Sequence, residues 1–206
     1  MNTKGLLLII SGPAGSGKGT VVKEMMAMVP DGYFAYSVSA TTRAPRVGEV
    51  DGREYYFLTK DAFREKIDSA EMLEWAEYCG NYYGTPKAAV LEKLQQGVNV
   101  ILEIEVQGAM NVKAAMPEAL AVMITPPDFQ TLESRLRGRG TNTEDDIANR
   151  LRRSEEELAL LSHYDYVVVN EDGGADRAAQ RILSIMDSER CRVTRNPGFA
   201  EKFFGK

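Results

Sequence analysis

Four short apolar runs recur along the chain, with more polar segments between them. They cover residues 6–10, 98–104, 120–125 and 166–169. Nearly continuous apolar runs of this length are typical of parallel strands that are buried on both faces of a sheet. The pattern therefore predicts a parallel sheet at the centre of the molecule.

Segments with helical spacing separate these runs. Apolar and small residues recur three and four positions apart in three sets: Val21, Met25 and Met28; Phe129, Leu132 and Leu136; and Ile147, Leu151, Ser154, Leu158 and Leu161. A further helix is predicted to open at Thr85-Pro86 and to end at Gly97, with proline in its first turn. Strands that alternate with helices predict an α/β fold with a doubly wound core.

Two internal segments and the carboxyl-terminal end depart from this alternation. Residues 37–84 are rich in Tyr, Thr and Gly and predict a small β-rich insertion with extended pieces at 55–58 and 73–78. Residues 138–146 predict an exposed, mobile lid loop, after which Thr143 and Asp146 resemble a capping box. The predicted core comprises residues 1–36, 85–137 and 147–189. Residues 190–206 are basic and predict a loosely docked or frayed tail.

The first apolar run leads directly into a glycine-rich segment. This segment reads Gly12-Pro13-Ala14-Gly15-Ser16-Gly17-Lys18-Gly19-Thr20, and a helical pattern follows it. Glycines allow successive N–H groups to curl around a polyphosphate, and the start of a helix adds donors and a positive dipole end. A glycine-rich string alone also fits a structural turn, but strand, lysine and helix in register favour a P-loop. We therefore predict that residues 12–20 bind a nucleoside triphosphate.

The position after the P-loop lysine is unusual. P-loops commonly carry Ser or Thr there, and its hydroxyl binds magnesium. This chain has Gly19 at that position and Thr20 next to it. Thr20 is therefore the candidate metal ligand of the loop.

Composition narrows the class of protein. The chain has 206 residues, 44% of them hydrophobic and 27% charged, which is typical of a globular protein of one domain or of one domain with insertions. No apolar run approaches the roughly 18–20 residues of a membrane span, and no signal-peptide core is present. Cys79 and Cys191 are too few for a disulfide framework or a cysteine zinc site, so the expected compartment is the cytoplasm. The single histidine, His163, disfavours chemistry that pairs a nucleophile with histidine.

The arginines form local groups although the net charge is −5. The acidic balance argues against a nucleic-acid partner, which requires a basic face. The groups are Arg43 and Arg46; Arg135, Arg137 and Arg139; and Arg150, Arg152 and Arg153. Such groups suit a small phosphorylated ligand, although Arg152 and Arg153 also fit a solvent-facing helix surface.

A second ligand site is predicted within the insertion. Arg43 and Arg46 flank a proline and can clamp one phosphate, with phenolic donors from Tyr55 and Tyr83. Hydroxyls at Ser39 and Thr85 and the carboxylate of Glu74 remain for a base. A carboxylate can accept from the two adjacent N–H donors on the pairing edge of guanine, whereas adenine presents a donor beside an acceptor. The residues alone only suggest this preference for guanine.

At this point the chain resembles the guanylate kinase family from about residue 5 to residue 186. The segments that carry the resemblance are residues 12–20, Thr-Thr-Arg-x-Pro-Arg-x-Gly-Glu within 37–57, residues 80–84, Gln107-Gly108, residues 135–141 and residues 165–170. Members of this family transfer the terminal phosphoryl group of ATP to GMP with magnesium. The resemblance therefore implies ATP and GMP as small-molecule partners, Mg²⁺ as the cofactor, and neither nucleic acid nor a membrane. It leaves monomer or homo-oligomer open.

The resemblance also implies roles for individual residues. ATP contacts fall on Gly12, Pro13, Ala14, Gly15, Ser16, Gly17, Lys18, Gly19, Thr20, Arg135 and Asn170. GMP contacts fall on Ser39, Arg43, Arg46, Tyr55, Glu74, Tyr83, Thr85 and Glu105. The transferring group is expected to meet Lys18, Arg43, Arg139 and Arg150.

One departure and three alternatives accompany this interpretation. Many members have Asp-x-Asp where this chain has Glu103-Ile104-Glu105, so direct contact of these carboxylates with metal or base is an open question. The alternatives are a kinase for another nucleoside monophosphate, a non-enzymatic binding module of guanylate kinase type, and a GTPase switch. The cations at 18, 139 and 150 favour an enzyme, and no Asn-Lys-x-Asp guanine motif supports a GTPase.

Overall fold

The structure is a computed structural model that describes residues 4–78, 80–138 and 143–205. Its strands are β1 (Leu7–Ser11), β2 (Phe34–Tyr36), β3 (Ala40–Thr41), β4 (Tyr56–Phe57), β5 (Met72–Tyr78), β6 (Asn81–Pro86), β7 (Asn99–Glu103), β8 (Leu120–Thr125) and β9 (Tyr166–Val169). Its helices are α1 (Lys18–Ala27), α2 (Lys60–Asp68), α3 (Lys87–Gln95), α4 (Val106–Ala115), α5 (Phe129–Arg137), α6 (Glu144–Leu158), α7 (Ala175–Arg190) and α8 (Phe199–Phe203).

A five-stranded parallel sheet forms the centre of the fold, in the order β2-β7-β1-β8-β9. The four apolar runs of the sequence form four of these strands. The sheet confirms the predicted α/β class. β2 is an edge strand of three residues, too short to stand out as an apolar run.

The central strand β1 is buried on both faces. Leu8 and Ile10 pack with residues of α1 and α7, whereas Leu7 and Ile9 pack with residues of α3 and α4. Successive side chains of a strand point to opposite faces, so both sets of alternate residues must be apolar. Full burial of each such side chain contributes about 1.5–3 kcal/mol to stability. β1 is therefore a firm support for the loop that follows it.

A second sheet of four strands has the order β4-β3-β6-β5. β5 and β6 form an antiparallel pair in which Glu74 lies opposite Thr85, just after a register shift between Met72 and Glu74. Thr85 thus lies in a strand and does not open a helix, and Pro86 precedes the first residue of α3. This pairing places a carboxylate and a hydroxyl side by side.

The first part of the tail is anchored, which differs from the expected frayed end. The Glu189 side chain is only 2% exposed. It accepts hydrogen bonds from the Tyr166 hydroxyl at 2.9 Å and from Arg195 Nε at 3.0 Å, and Arg192 Nη1 lies 3.2 Å away. Burial opposes ionisation of Glu189, but these donors lower the pKa of its carboxyl group. A buried, charged carboxylate therefore holds residues 192–195 against the end of α7.

Within the described residues, no helix has both the length and the apolar content needed to cross a bilayer.

We predict that Glu189→Gln destabilises the protein by about 1–3 kcal/mol at pH 7, because the donors of Arg192 and Arg195 lose their charged acceptor. The folded-state pKa of Glu189 is lowered, so its stabilising effect is present above the ordinary glutamate pKa and is lost as the pH falls through the folded value. Urea unfolding at pH 7 and at successively lower pH measures this difference. Glu201→Gln, in the exposed part of the tail, is the matched control. Equal stability of wild type and Glu189→Gln at pH 7 would contradict the assigned role.

Candidate active site

The segment between β1 and α1 has the geometry of a phosphate-binding loop. Gly12 has φ = 146°, and a Cβ atom built on it would lie 2.0 Å from the carbonyl oxygen of Ile124 in β8. Only glycine fits so close to the sheet. α1 begins at Lys18, and the lysine Nζ donates to the carbonyl oxygens of Gly12 and Pro13. The first N–H groups of α1 and the lysine ammonium are thus gathered at one anion-binding point.

A cavity of about 870 Å³ lies in front of this loop. The P-loop, the ends of β2 and β7, the second sheet and α6 all contribute to its wall. Of the predicted site residues, the lining includes Gly12, Ala14, Lys18, Ser39, Tyr55, Thr85, Glu105 and Arg150. The fold therefore brings residues of the predicted donor and acceptor sites to one space.

Glu74 is not in the lining of this cavity, but it is bonded to Thr85, which is. Its Oε1 accepts a hydrogen bond of 2.6 Å from the Thr85 hydroxyl. A Cβ atom built on Gly108 in α4 would lie 3.2 Å from Glu74 Oε2, so the absence of a side chain at 108 leaves room for the carboxylate. Burial raises the pKa of Glu74, and the Thr85 hydrogen bond partly opposes that shift. The result is a partly desolvated carboxylate, oriented by a neighbouring hydroxyl.

Arg43 is held in an aromatic and acidic cluster beside the cavity. Its Nη2 lies 2.9 Å from Glu49 Oε1, and its guanidinium lies 5.5 Å from the centre of the Tyr55 ring. The Tyr83 ring lies 6.0 Å from that of Tyr55. Glu49 Oε2 also accepts from the backbone N–H of Arg46 at 2.7 Å. The predicted residues Arg43, Tyr55 and Tyr83 therefore converge, and Glu49 ties the Arg43 side chain to the Arg46 backbone.

The sequence analysis does not name Glu49 as a site residue, although Glu49 belongs to a motif that it uses. It closes the quoted run Thr-Thr-Arg-x-Pro-Arg-x-Gly-Glu. The Arg43 guanidinium and the Arg46 amide lower the pKa of Glu49. Its charge therefore orients Arg43 but also competes for it with any bound phosphate.

Helix α6 forms the opposite wall, and Arg153 is both exposed, as its helical position suggests, and part of the cavity lining. Arg153 lines the cavity, and its Nη2 lies 2.5 Å from Glu105 Oε2 across the cleft. Its Nε also lies 3.4 Å from Glu157 Oε1. The Arg153 side chain is 61% exposed, and its guanidinium pairs with Glu105 at the cavity. Helical spacing alone could not show this, because Glu105 is 48 positions away in the sequence.

Glu157 is a second cavity residue that the sequence did not single out. Burial raises the pKa of its carboxyl group, and the nearby positive charges of Arg153 and Lys18 oppose this shift. The P-loop lysine and a carboxylate from α6 therefore line the same cavity. The predicted Arg139 and the lid residues 140–142 lie outside the described residues.

Arg135 and Asn170 lie at the P-loop but not in the lining of the 870 Å³ cavity. Asn170 Nδ2 donates to the carbonyl oxygen of Ser16 at 2.8 Å. Arg135 Nη2 donates to the carbonyl oxygen of Asn170 at 2.9 Å. Of these two predicted ATP contacts, Asn170 therefore touches the loop directly, and Arg135 touches Asn170.

The surroundings of Gly19 bear on magnesium. A Cβ atom built on Gly19 would lie 3.7 Å from Glu103 Oε1 at the end of β7. Glu103 lines the cavity, whereas Thr20 is exposed on α1 and is not part of the lining. The described residues contain no cluster of three or more His, Cys, Asp or Glu side chains that could hold a metal on their own.

These features define a class: an α/β nucleotide-binding protein with a P-loop and a second, acidic and arginine-rich pocket on the same cavity. The chain belongs to the guanylate kinase family, because the family model described as guanylate kinase matches residues 4–189.

Individual relatives agree with this family. A protein named guanylate kinase from Streptococcus thermophilus strain CNRZ 1066 is 51% identical over 195 residues, covering 95% of this chain and 92% of the relative. One from Streptococcus pyogenes serotype M3 is 50% identical over 202 residues, covering 98% and 94%. The crystal structure of guanylate kinase from Anaplasma phagocytophilum is similar with a TM-score of 0.72 and 31% identity, covering 98% of this chain and 94% of that one.

We predict that Glu74→Gln is more stable than wild type at pH 7. The raised folded-state pKa means that the native environment disfavours the charged carboxylate, so its favourable effect is full below the ordinary glutamate pKa and is lost as the pH rises through the folded value. An amide avoids this cost and can still accept from Thr85. Urea unfolding should show the gain at pH 7 and a smaller gain near pH 4. Glu77→Gln, exposed on the same strand, is the control, and a loss of stability in Glu74→Gln at pH 7 would count against the proposed environment.

Proposed function

We propose that this chain acts as an ATP:GMP phosphotransferase, a guanylate kinase, which reversibly converts ATP and GMP to ADP and GDP in purine nucleotide metabolism. The observation that carries the proposal is that the P-loop lysine and the Thr85 hydroxyl, with Glu74 behind it, meet one cavity. A donor phosphate site and an acceptor base site that share a cavity suit transfer between two nucleotides.

On the acceptor side, Glu74 receives the two adjacent N–H donors of guanine. Ser39 and Thr85 line the cavity and complete the base site. Thr85 donates to Oε1 of Glu74, which keeps the carboxylate in one orientation. A half-buried carboxylate discriminates strongly because a base that offers an acceptor there leaves the charge without compensation.

The phosphate of GMP belongs at the cluster of Arg43, Arg46, Tyr55 and Tyr83. Forked guanidinium donors and phenolic hydroxyls match the tetrahedral oxygens of a phosphate. Glu105 contributes on the same side of the cavity, where Arg153 now pairs with it. GMP binding in this position competes with the bonds of Glu49 to Arg43 and of Arg153 to Glu105.

On the donor side, residues 12–20 hold the phosphates of ATP. Lys18 turns from the carbonyl oxygens of Gly12 and Pro13 to the outer phosphates, which offer charged acceptors in place of neutral ones. Arg135 and Asn170, which lie outside the main cavity, hold the adenine end. The two nucleotides then approach each other from opposite sides of Lys18.

Catalysis rests on alignment and charge. A phosphate oxygen of GMP is already a nucleophile, so transfer requires no strong general base. Lys18, Arg43, Arg139 and Arg150 surround the transferring group, and Arg46 anchors the acceptor. Each cation gains interaction energy as charge moves onto the bridging and equatorial oxygens.

Magnesium fits this arrangement as a partner of ATP. Glu103, which lines the cavity beside Gly19, would hold the ion from the protein side, whereas the exposed Thr20, the ligand expected from the sequence, lies outside the lining. When bound, Mg²⁺ supplies neutralisation of phosphate charge. The protein residues provide the remaining cations and the orientation.

The predicted division of the chain into a core, an insertion and a lid supports a closing motion. Residues 37–84 form the GMP-binding insertion, residues 138–146 the lid, and 1–36, 85–137 and 147–189 the core. Closure excludes water, which would otherwise accept the phosphoryl group.

The low cysteine content supports the cytoplasm as the site of the reaction. The acidic net charge supports small nucleotides, not nucleic acid, as partners.

The decisive experiment measures ADP formation from ATP and Mg²⁺ with GMP, AMP, CMP and UMP as separate acceptors. We expect turnover with GMP to exceed that with the other three by at least about 100-fold, because Glu74 pairs only with a base that offers two adjacent donors. Preference for AMP would support the alternative of a kinase for another monophosphate. If none of the four acceptors supports ADP formation and the protein still binds GMP, the result would support a non-enzymatic binding module.

Lys18→Ala is the control that ties this turnover to the site. Loss of the P-loop cation should reduce the rate by roughly a thousandfold or more, by analogy with other phosphate-stabilising cations. Lys23→Ala, on an exposed face of the same helix, should retain the wild-type rate. Near-normal turnover of Lys18→Ala, with the fold intact by circular dichroism, would disprove the assigned donor site.

A further inference from the structure

Three contacts fix the guanidinium of Arg135 beside Asn170, whose side chain is bonded to the P-loop. Its Nε lies 3.1 Å and its Nη2 2.7 Å from Oδ1 of Asp172, in the loop between β9 and α7. Nη2 also donates to the carbonyl oxygen of Asn170 at 2.9 Å. A planar guanidinium that is bonded through two of its nitrogens has no freedom left to rotate about its own axis.

The third nitrogen of this guanidinium, Nη1, makes none of these contacts. Arg135 Nη1 is buried and has no hydrogen-bond partner among the residues that the structure describes. The same is true of the side-chain oxygen of Asn170, whose amide nitrogen is bound to Ser16. Buried polar atoms without partners are costly, so a donor and an acceptor in this state at a nucleotide loop indicate that a ligand completes them.

We infer that Asp172 is a positioning residue for the donor nucleotide: its carboxylate holds Arg135 so that Nη1 is presented to the base of ATP. This inference rests on the proposed function, which puts the adenine end at Arg135 and Asn170. Asp172 itself does not touch the nucleotide.

The exposure of the pair supports a positioning role over a stabilising one. The Arg135 side chain is 21% exposed, whereas that of Asp172 is 81% exposed. An ion pair with one partner in solvent contributes little to stability. Its main effect is to restrict a long side chain that would otherwise sample many rotamers. Without Asp172, the carbonyl oxygen of Asn170 is the one remaining contact among those that now orient Arg135.

Pairing also keeps the charge of Arg135 from the phosphates. An unpaired arginine near a P-loop is drawn to the polyphosphate, which is the strongest nearby anion. Asp172 satisfies that charge on the side of the β9–α7 loop. The guanidinium is thereby reserved for the neutral base while Lys18 and Arg150 serve the phosphates.

The test compares two probes of the donor site by calorimetry in the absence of GMP. ATP carries the base, and inorganic tripolyphosphate carries only the phosphates. For Asp172→Asn we expect the dissociation constant of ATP to rise about three- to fivefold, in line with an exposed charged pair. The dissociation constant of tripolyphosphate should stay within the error of the wild-type value. In steady state, the KM for ATP should rise while the KM for GMP and kcat remain nearly unchanged.

Two further variants separate positioning from a general effect on the loop. Asp176→Asn, in the first turn of α7, makes the same chemical change near the same helix end and should leave ATP binding unchanged. Asp172→Glu keeps the charge and should recover part of the lost ATP affinity. Equal weakening of ATP and tripolyphosphate, or an unchanged ATP affinity, would overturn the inference.

The binding measurements also keep this inference distinct from the proposed function. If the protein failed to phosphorylate GMP, the proposed function would fall. A selective loss of ATP affinity in Asp172→Asn would then still establish the role of the Arg135–Asp172 pair.

Discussion

The contact on which the site depends is the packing of Gly12 against the carbonyl oxygen of Ile124. It joins the end of β1 to β8 at a distance that no side chain at position 12 would permit. β1 is itself buried on both faces, so the loop leaves the sheet from a fixed point. Because β7, β8 and β9 end at the same edge, Glu103, Glu105 and Asn170 are brought to the loop by strand order alone.

The charges in and beside the cavity lie close to charges of opposite sign. Arg43 is paired with Glu49, Arg153 with Glu105, and Lys18 faces Glu157. These carboxylates pre-position the cations and limit their mutual repulsion, but each must be displaced or outcompeted by phosphate oxygens. Phosphates can do so because they carry more charge than one carboxylate and bind several donors at once. Such pairing favours a site that changes its contacts when both nucleotides are present.

The sequence could predict the elements whose signal is local. The apolar runs at 6–10 and 120–125, the glycine-rich loop and the Thr143–Asp146 capping box are all confirmed, because each depends on neighbours within a few residues. The sequence could also predict that Arg43, Tyr55 and Tyr83 lie together, because the family resemblance assigns all three to one GMP site. The prediction that Thr85 opens a helix was wrong. Thr85 and Pro86 are the last residues of β6, and Pro86 stands directly before the first residue of α3.

Features that depend on distant pairing could not be predicted in this way. Arg153 looked like a solvated helix position, and only the placement of α6 opposite β7 brings it to Glu105. The anchoring of the tail likewise depends on the burial of Glu189 beside Tyr166, 23 positions earlier. A pattern along the chain records which face of an element is apolar, but not which element lies opposite its polar face.

Two arginines of the site show how the location of a partner separates two roles. Glu105 lines the cavity, so its bond to Arg153 occupies space and charge that a substrate needs, and binding must compete with that pair. Asp172 does not line the cavity, and it binds Nε and Nη2 of Arg135, so Nη1 can meet a base without displacing the carboxylate. In the proposed mechanism the first pair is therefore exchanged during binding, whereas the second persists. An arginine whose partner stays in place can present one chosen N–H to a neutral base, which an arginine released into a phosphate site cannot do.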